Sequence, residues 1–232
     1  RFSEESPTVD LDVSGRVLKE GPLAETGGAD IAEKATLAQF SASATGPTNN
    51  VNIDGKYSLH EKLLLDMPAE GAFAAALHGD RAVLDVNNLT MNLRDSRIAL
   101  SGKATALWSD ERSADLSGET QLLLEQLIAG ASESLANEIN PDGAAAGKIE
   151  LTATSENIAF QTNLDIEGAG FTIPNALRKE TGVPGSFALD GRYDIGGVLA
   201  FENFDLTMND SSITGSGSIN PGETRRAEIS FQ

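Results

Sequence analysis

The stretch Asn50-x-Asn52-x-Asp54-Gly55-x5-Glu61 nearly fits the twelve-residue loop that wraps a calcium ion. Such a loop supplies alternate side-chain oxygens and a final carboxylate around a glycine turn. Asn50 is a poor first ligand, and neither flank has the pattern of an amphipathic helix. A related stretch at Asp190-Gly191 lacks the ligand set. A strand alternating through Val51, Ile53 and Tyr57 accounts for the same residues, and no metal site is expected.

Other candidates for chemistry fail in similar ways. Asp10-x-Asp12 places two carboxylates on one side of a strand, where an edge strand simply wets its polar face. Gly215-x-Gly217 precedes Ile219, Asn220 and Pro221, so no helix follows to offer a phosphate its positive end. His60 and His78 are the only imidazoles. Neither has a nucleophile motif nearby, and no Gly-x-Ser-x-Gly occurs; both are expected in loops or at the surface. Asn88-Leu89-Thr90 and Asn209-Asp210-Ser211 match the glycosylation sequon but fall inside a duplicated segment. Arg178-Lys179 and Arg225-Arg226 are the only adjacent basic pairs, too few for a nucleic-acid patch. No catalytic residue and no cofactor is expected.

The elements around these residues carry the stronger signal. Apolar and polar residues alternate along most of the chain, as in antiparallel strands with one wet face. Turn residues recur at short intervals, from Gly46-Pro47 to Pro221-Gly222. Two signatures are doubled. Leu89-Thr90-Met91-Asn92 and Leu206-Thr207-Met208-Asn209 each lead to Asp-Ser-x-Ile-x-x-Ser-Gly, and the first copy has Leu93 and Arg94 as two extra residues. Val51-x-Ile53-Asp54-Gly55-Lys56-Tyr57 is matched by Phe187-x-Leu189-Asp190-Gly191-Arg192-Tyr193. Repetition of this kind marks stacked supersecondary units, here about 51–107 and 187–221. The signatures lie 35 residues apart in the first copy (Asp54 to Leu89) and 16 in the second (Asp190 to Leu206). A hairpin within Leu59–Asp80 would supply the difference. One segment departs from alternation: Leu124, Leu127, Ile128, Ala131, Leu135 and Ile139 follow helical spacing and predict a helix over about 123–139. Ile31–Phe40 is read as a strand ending at Gly46-Pro47.

Composition bounds the answer. The chain has 232 residues, 40% apolar and only 5% aromatic, so aliphatic and small residues must form the core. Seventeen basic against 35 acidic residues give a net charge of −18, which disfavours nucleic acid and anionic surfaces. Cysteine is absent, which removes disulfides, thiol catalysis and Cys-type zinc sites. No stretch is long enough for a transmembrane helix. The chain starts at Arg1 and its last residues are strand-like; it is expected to be one segment, 1–232, of a longer protein.

Leu164-Asp165-Ile166, Ala169, Phe171, Pro174, Lys179, Gly182, Pro184 and Gly185 resemble a segment of the YhdP-type branch of the AsmA-like superfamily. The stretch Phe204–Ile219 is similar to one that AsmA, TamB and YhdP relatives repeat many times. Leu177 stands where those relatives carry an aromatic. The likeness covers about the last 75 residues closely and the rest in pattern only. It implies a Gram-negative envelope protein anchored in the inner membrane, with a β-rich groove crossing the periplasm. It implies phospholipid movement toward the outer membrane and a part in outer-membrane integrity.

The expected fold is mainly β: an elongated, curled antiparallel sheet forming an apolar, taco-like groove, with one or two short helices. Some 14–18 strands are expected, or roughly 70–85 Å at about 4.8 Å each. The residues expected to line the groove are Val51, Ile53, Leu89, Met91, Ile98, Leu164, Ile166, Phe187, Leu189, Phe204, Leu206, Met208, Ile213, Ile229 and Phe231. Phospholipid acyl chains are the expected partners. The two membranes would be reached through other parts of the parent protein. The alternative is a non-enzymatic structural or adhesive repeat module that fills its own core.

Overall fold

The computed structural model describes residues 7–18, 36–60, 68–131, 133–174, 177–194, 199–209, 211–220 and 226–231. The first half holds strands β1 (Thr8–Leu18), β2 (Thr36–Pro47), β3 (Val51–Leu59), β4 (Ala69–His78), β5 (Val83–Leu93), β6 (Ser96–Thr105) and β7 (Ser113–Leu123). Helices α1 (Leu124–Ala131) and α2 (Glu133–Ile139) follow. The second half holds β8 (Asp142–Thr154), β9 (Asn157–Asp165), β10 (Ala169–Ile173), β11 (Leu177–Lys179), β12 (Gly185–Asp194), β13 (Leu199–Met208), β14 (Ser211–Asn220) and β15 (Arg226–Phe231). Thirteen strands pair antiparallel in chain order; β10 and β11 lie off this path. β1 and β15 do not meet, so the sheet is open and not a barrel.

The register sorts residue types onto two faces. One row of directly opposed residues crosses the whole path. Leu11 faces Ala44, which faces Ile53, and the row continues through Ala75, Val86, Gly102, Leu116 and Leu151. It ends through Phe160, Gly191, Phe201, Gly217 and Ile229. No polar side chain interrupts it. The adjacent row, on the opposite face, runs Asp10, Thr45, Asn52, Ala76, Asp85, Lys103 and Asp115 over its first seven strands. Alternation along each strand thus becomes segregation across the sheet, because register keeps parity from strand to strand.

Two bulges preserve this sorting. Register shifts between Val86 and Leu89 and between Phe201 and Phe204. In each case the extra residue switches parity, so an even and an odd apolar residue share the face. The bulges also correct the reading of the first doubled signature. Val86–Gly102 and Phe201–Gly217 are hairpins of equal length, with Val86 opposite Gly102 and Phe201 opposite Gly217. Leu93 opposes Ser96 where Met208 opposes Ser211. Leu93 and Arg94 are therefore not an insertion; the Leu-Thr-Met-Asn words are offset by one pleat. The second doubled signature differs as well. A single strand, β4, separates β3 from β5, not a hairpin, and β12 is followed directly by β13.

All long connections among the described residues fall at one end of the strands. The helices join β7 to β8, and β10–β11 joins β9 to β12, both at this lower rim. At the upper rim the described connections are turns at 48–50, 79–82, 106–112 and 155–156. The lower-rim additions fold over the apolar face. Ala145, Leu164, Ile166, Ala169 and Met208 form a buried cluster against Leu124 of α1, Phe171 of β10 and Leu177 of β11. Ala69 and Leu93 form a second cluster with Leu127 of α1. Burial of Leu93, Leu164, Ile166 and Met208 there contributes about 1.5–3 kcal/mol each by leaving water. The predicted single helix is two short ones, with Gly130 in the last turn of the first. Away from the lower rim, Val51, Ala75 and Leu100 are only 6–7% exposed. Neither helix nor any non-neighbouring strand among the described residues packs closely on them.

Candidate functional site

Fourteen of the fifteen expected groove residues lie on the apolar face. Val51 and Ile53 of β3 face Leu77 and Ala75. Leu89 and Met91 of β5 face Leu100 and Ile98. Leu164 of β9 faces Phe187, and Leu189 of β12 faces Phe204. Leu206 faces Ile213, and Met208 faces Ser211. Ile229 and Phe231 of β15 sit opposite Gly217 and Gly215. The fifteenth, Ile166, stands past the end of the ladder, and its side chain reaches the same face beside Gly185. It follows β9, donates its backbone N–H to the Gly185 carbonyl (3.0 Å) and is buried in the lower-rim cluster.

The face is not uniform. Leu164 and Met208 are covered by the lower-rim additions, and Phe187 and Leu206 pack beside them. Ile53, Leu89, Ile98, Leu189 and Ile213 are half-buried and belong to neither cluster. Toward β1 the face opens further: Leu11 is 52% exposed and Phe40 43%. Ile158 and Tyr193 mark a second open stretch near the upper rim.

Aromatic rings on this face lie over glycines directly across the ladder. The ring of Phe73 occupies the space beside Gly55, and that of Phe160 the space beside Gly191. These are the glycines of the second doubled signature, so Asp-Gly-Lys/Arg-Tyr marks a socket for a neighbour's phenyl ring. Phe40 over Gly15 and Tyr57 over Gly71 repeat the device. A ring seated against a glycine fills the space a side chain would take and pins register. The Tyr57 hydroxyl donates to the Thr90 carbonyl at 2.9 Å, and burial raises its pKa. Gly71 cannot be replaced, because a methyl there would meet Thr90 O and the Tyr57 ring.

The polar face holds a shallow groove of about 800 Å³ between β1 and β5, lined by Ser14, Arg16, Gln39, Lys56, Ser58 and Glu70 among others. It also carries the tightest charge cluster. Asp85 accepts from Lys103 at 3.1 Å and meets His78 Nε2 at 2.9 Å. These two hydrogen bonds, Lys103 first, hold the Asp85 carboxyl below its ordinary pKa. His78 is therefore half-buried and engaged at the end of β4, not a loose surface residue. No nucleophile accompanies the pair among its hydrogen-bond partners.

The remaining chemical candidates resolve into sheet. Residues 51–59 are extended, so Asn52 and Asp54 do not wrap an ion, and Glu61 lies outside the described residues. Asp10 and Asp12 are on the polar face of β1. Gly215 and Gly217 sit opposite Phe204 and Phe201. No group of three or more metal-ligating side chains occurs among the described residues. The predicted strand over Ile31–Phe40 starts at Thr36; residues 31–35 lie outside the described residues.

Lys179 is the one functional-looking residue that alternation missed. It is 3% exposed and donates to the Ala169 carbonyl at 2.6 Å. Desolvation lowers its pKa, partly offset by Glu167 and Asp165. It ties the end of β11 back to the start of β10, over the lower-rim cluster. Comparison of the chain with family models, with curated protein sequences and with solved structures gives no match.

Proposed function

We propose that this chain is a segment of a groove-type lipid-transfer protein and not an enzyme. The apolar face takes phospholipid acyl chains, and the polar face meets water. The parent protein would be an AsmA-like, YhdP-type component of a Gram-negative envelope. It would be anchored in the inner membrane and cross the periplasm toward the outer membrane. The observation that carries this reading is the uninterrupted apolar row from Leu11 to Ile229, whose stretches away from the lower rim have no second layer among the described residues. Contiguous apolar surface of that extent marks a binding surface in a protein that stays in solution. Aliphatic and aromatic side chains grip a chain without direction, which suits sliding better than a polar site does. The experiment is photo-cross-linking in cells. A probe at Leu189 or Phe204 should capture lipid, whereas one at Asp190 or Asp205, on the other face, should not. Equal capture at all four positions would reduce the result to membrane contact and refute the groove.

The self-filled module remains as a second reading because of the lower rim. There α1, β10 and β11 fill the space above Leu164 and Met208 with the chain's own side chains. No capture at Leu189 or Phe204, with mass spectrometry finding no co-purified lipid, would decide for it.

A further inference from the structure

We infer that the upper rim around Trp108 holds the headgroup of the bound lipid. A zwitterionic phospholipid lies along the strands, its headgroup at the 106–112 turn and its chain ends toward the lower rim. This orientation rests on acyl chains occupying the apolar face, as proposed above. The two rims differ in what covers that face. At the lower rim Leu124, Phe171 and Leu177 pack over it. At the upper rim only turns join the strands among the described residues. Eight residues separate Ala153, near the upper rim, from Ala145 in the lower-rim cluster, or about 27 Å along β8. One bilayer leaflet holds about 15 Å of hydrocarbon. A chain entering at the upper rim therefore fits along a strand before it meets the cluster, whereas one entering at the lower rim would have to displace it.

Trp108 is the only tryptophan, and it is 72% exposed. Its turn is tied to the turns on both sides. The Leu107 N–H donates to the Ala82 carbonyl at 3.2 Å, and Ser155 Oγ donates to the Asp110 carbonyl at 3.0 Å. Ala82 and Ala106 have φ angles of 51° and 54°, a left-handed region that alanine rarely adopts. Strain of this kind gathers where a protein binds something. An indole suits the boundary between an acyl chain and water, with an apolar body and a polar N–H. Ile158 and Tyr193 extend exposed apolar surface along the face near the same rim. The charges in these three turns are mixed. Asp80, Asp110, Glu111 and Glu156 stand with Arg81 and Arg112. Among the described residues only Arg81 and Asp80 approach each other as an ion pair, at 4.0 Å. Arg112 can meet a phosphate, and the carboxylates or the indole face can meet an ammonium group. A purely anionic headgroup would meet more carboxylates than guanidinium groups, on a chain of net charge −18.

Trp108 is also the reporter. Phosphatidylcholine with a nitroxide on its headgroup should quench the fluorescence of the loaded chain several-fold more than the same lipid with the nitroxide at its chain end. Electron spin resonance of the isolated complex counts the bound label in each case. With label bound, equal quenching, stronger quenching from the chain end, or none from either would overturn the orientation and leave the groove reading standing. No bound label at all would overturn the groove reading and the orientation with it. In competition, phosphatidylethanolamine should be retained several-fold over phosphatidylglycerol. Equal retention, or an excess of the anionic lipid, would overturn the zwitterionic assignment.

Discussion

Single residues in this sheet are chosen for backbone shape as much as for burial. The two equivalent hairpins turn through Arg94 and Asn209, whose φ angles are 56° and 49°. Asn tolerates that left-handed region because its short side chain bonds locally, whereas a long side chain pays a steric cost. Arg94→Asn should therefore raise stability by roughly 0.5–1 kcal/mol, seen as a higher urea midpoint with an unchanged slope. Lys179 makes a second prediction. Its folded pKa lies below the ordinary lysine value, so the unfolded chain binds the proton more readily. Stability should rise as pH climbs from that depressed value toward about 10.5, and Lys179→Met should flatten this alkaline rise. Asp85 acts at the other extreme. Its lowered pKa adds stability that is present above the unfolded value and disappears as pH falls through the folded one. Asp85→Asn should remove that acid-side loss in melts recorded against pH.

At the scale of elements, β7 and β8 already form a hairpin, with Leu123 opposite Ala144. The helices are thus an addition to the rim and not a link the sheet requires. α1 is held there by Leu124 and Leu127 and by Gln126, whose side chain bonds Asp95 in the β5–β6 turn at 2.8 Å. Ser96 Oγ accepts the Leu123 N–H at 2.8 Å just before the helix begins. Replacing residues 124–143 with a two-residue Asn-Gly turn should keep the β signal in far-UV dichroism and raise binding of a hydrophobic dye several-fold. An unchanged dye signal would mean that α1 hides no apolar surface. The strands, their parity and the apolar face were legible because alternation survives in residue types such as Val51, Ile53 and Leu189. The bulges were not: Val86-Asn87-Asn88-Leu89 breaks alternation in a way that sequence cannot distinguish from a turn. The helix pattern over about 123–139 was legible from the spacing of Leu124, Leu127 and Ile128. Lys179 was invisible to patterning, since a lone basic residue beside Arg178 reads as solvated.

Over the whole molecule, 35 acidic residues against 17 basic ones produce mutual repulsion that water and salt must moderate. Raising ionic strength from about 10 mM to 150 mM shortens the screening length from about 30 Å to about 8 Å. The melting temperature should rise over that range, and a charge-balanced variant should show little of that rise. Ion pairs among the described residues do little to counter this, because most, such as Arg178 with Glu180, are exposed on both sides. Binding to an acyl chain should by contrast depend weakly on salt, since apolar burial carries it.

The bulged hairpin that recurs without a gap has a consequence for size. Each hairpin enters and leaves at the upper rim and returns the apolar row to the same face, so it behaves like one tooth of a zip. Removing Val83–Arg112 would let the 79–82 turn lead straight into β7, antiparallel to β4, with both apolar faces still aligned. Length in this architecture is then a counted quantity, altered in steps of about 9–10 Å by adding or dropping one pair of strands. A shortened chain that still folds would show that reach across a gap can be retuned without redesigning any single contact.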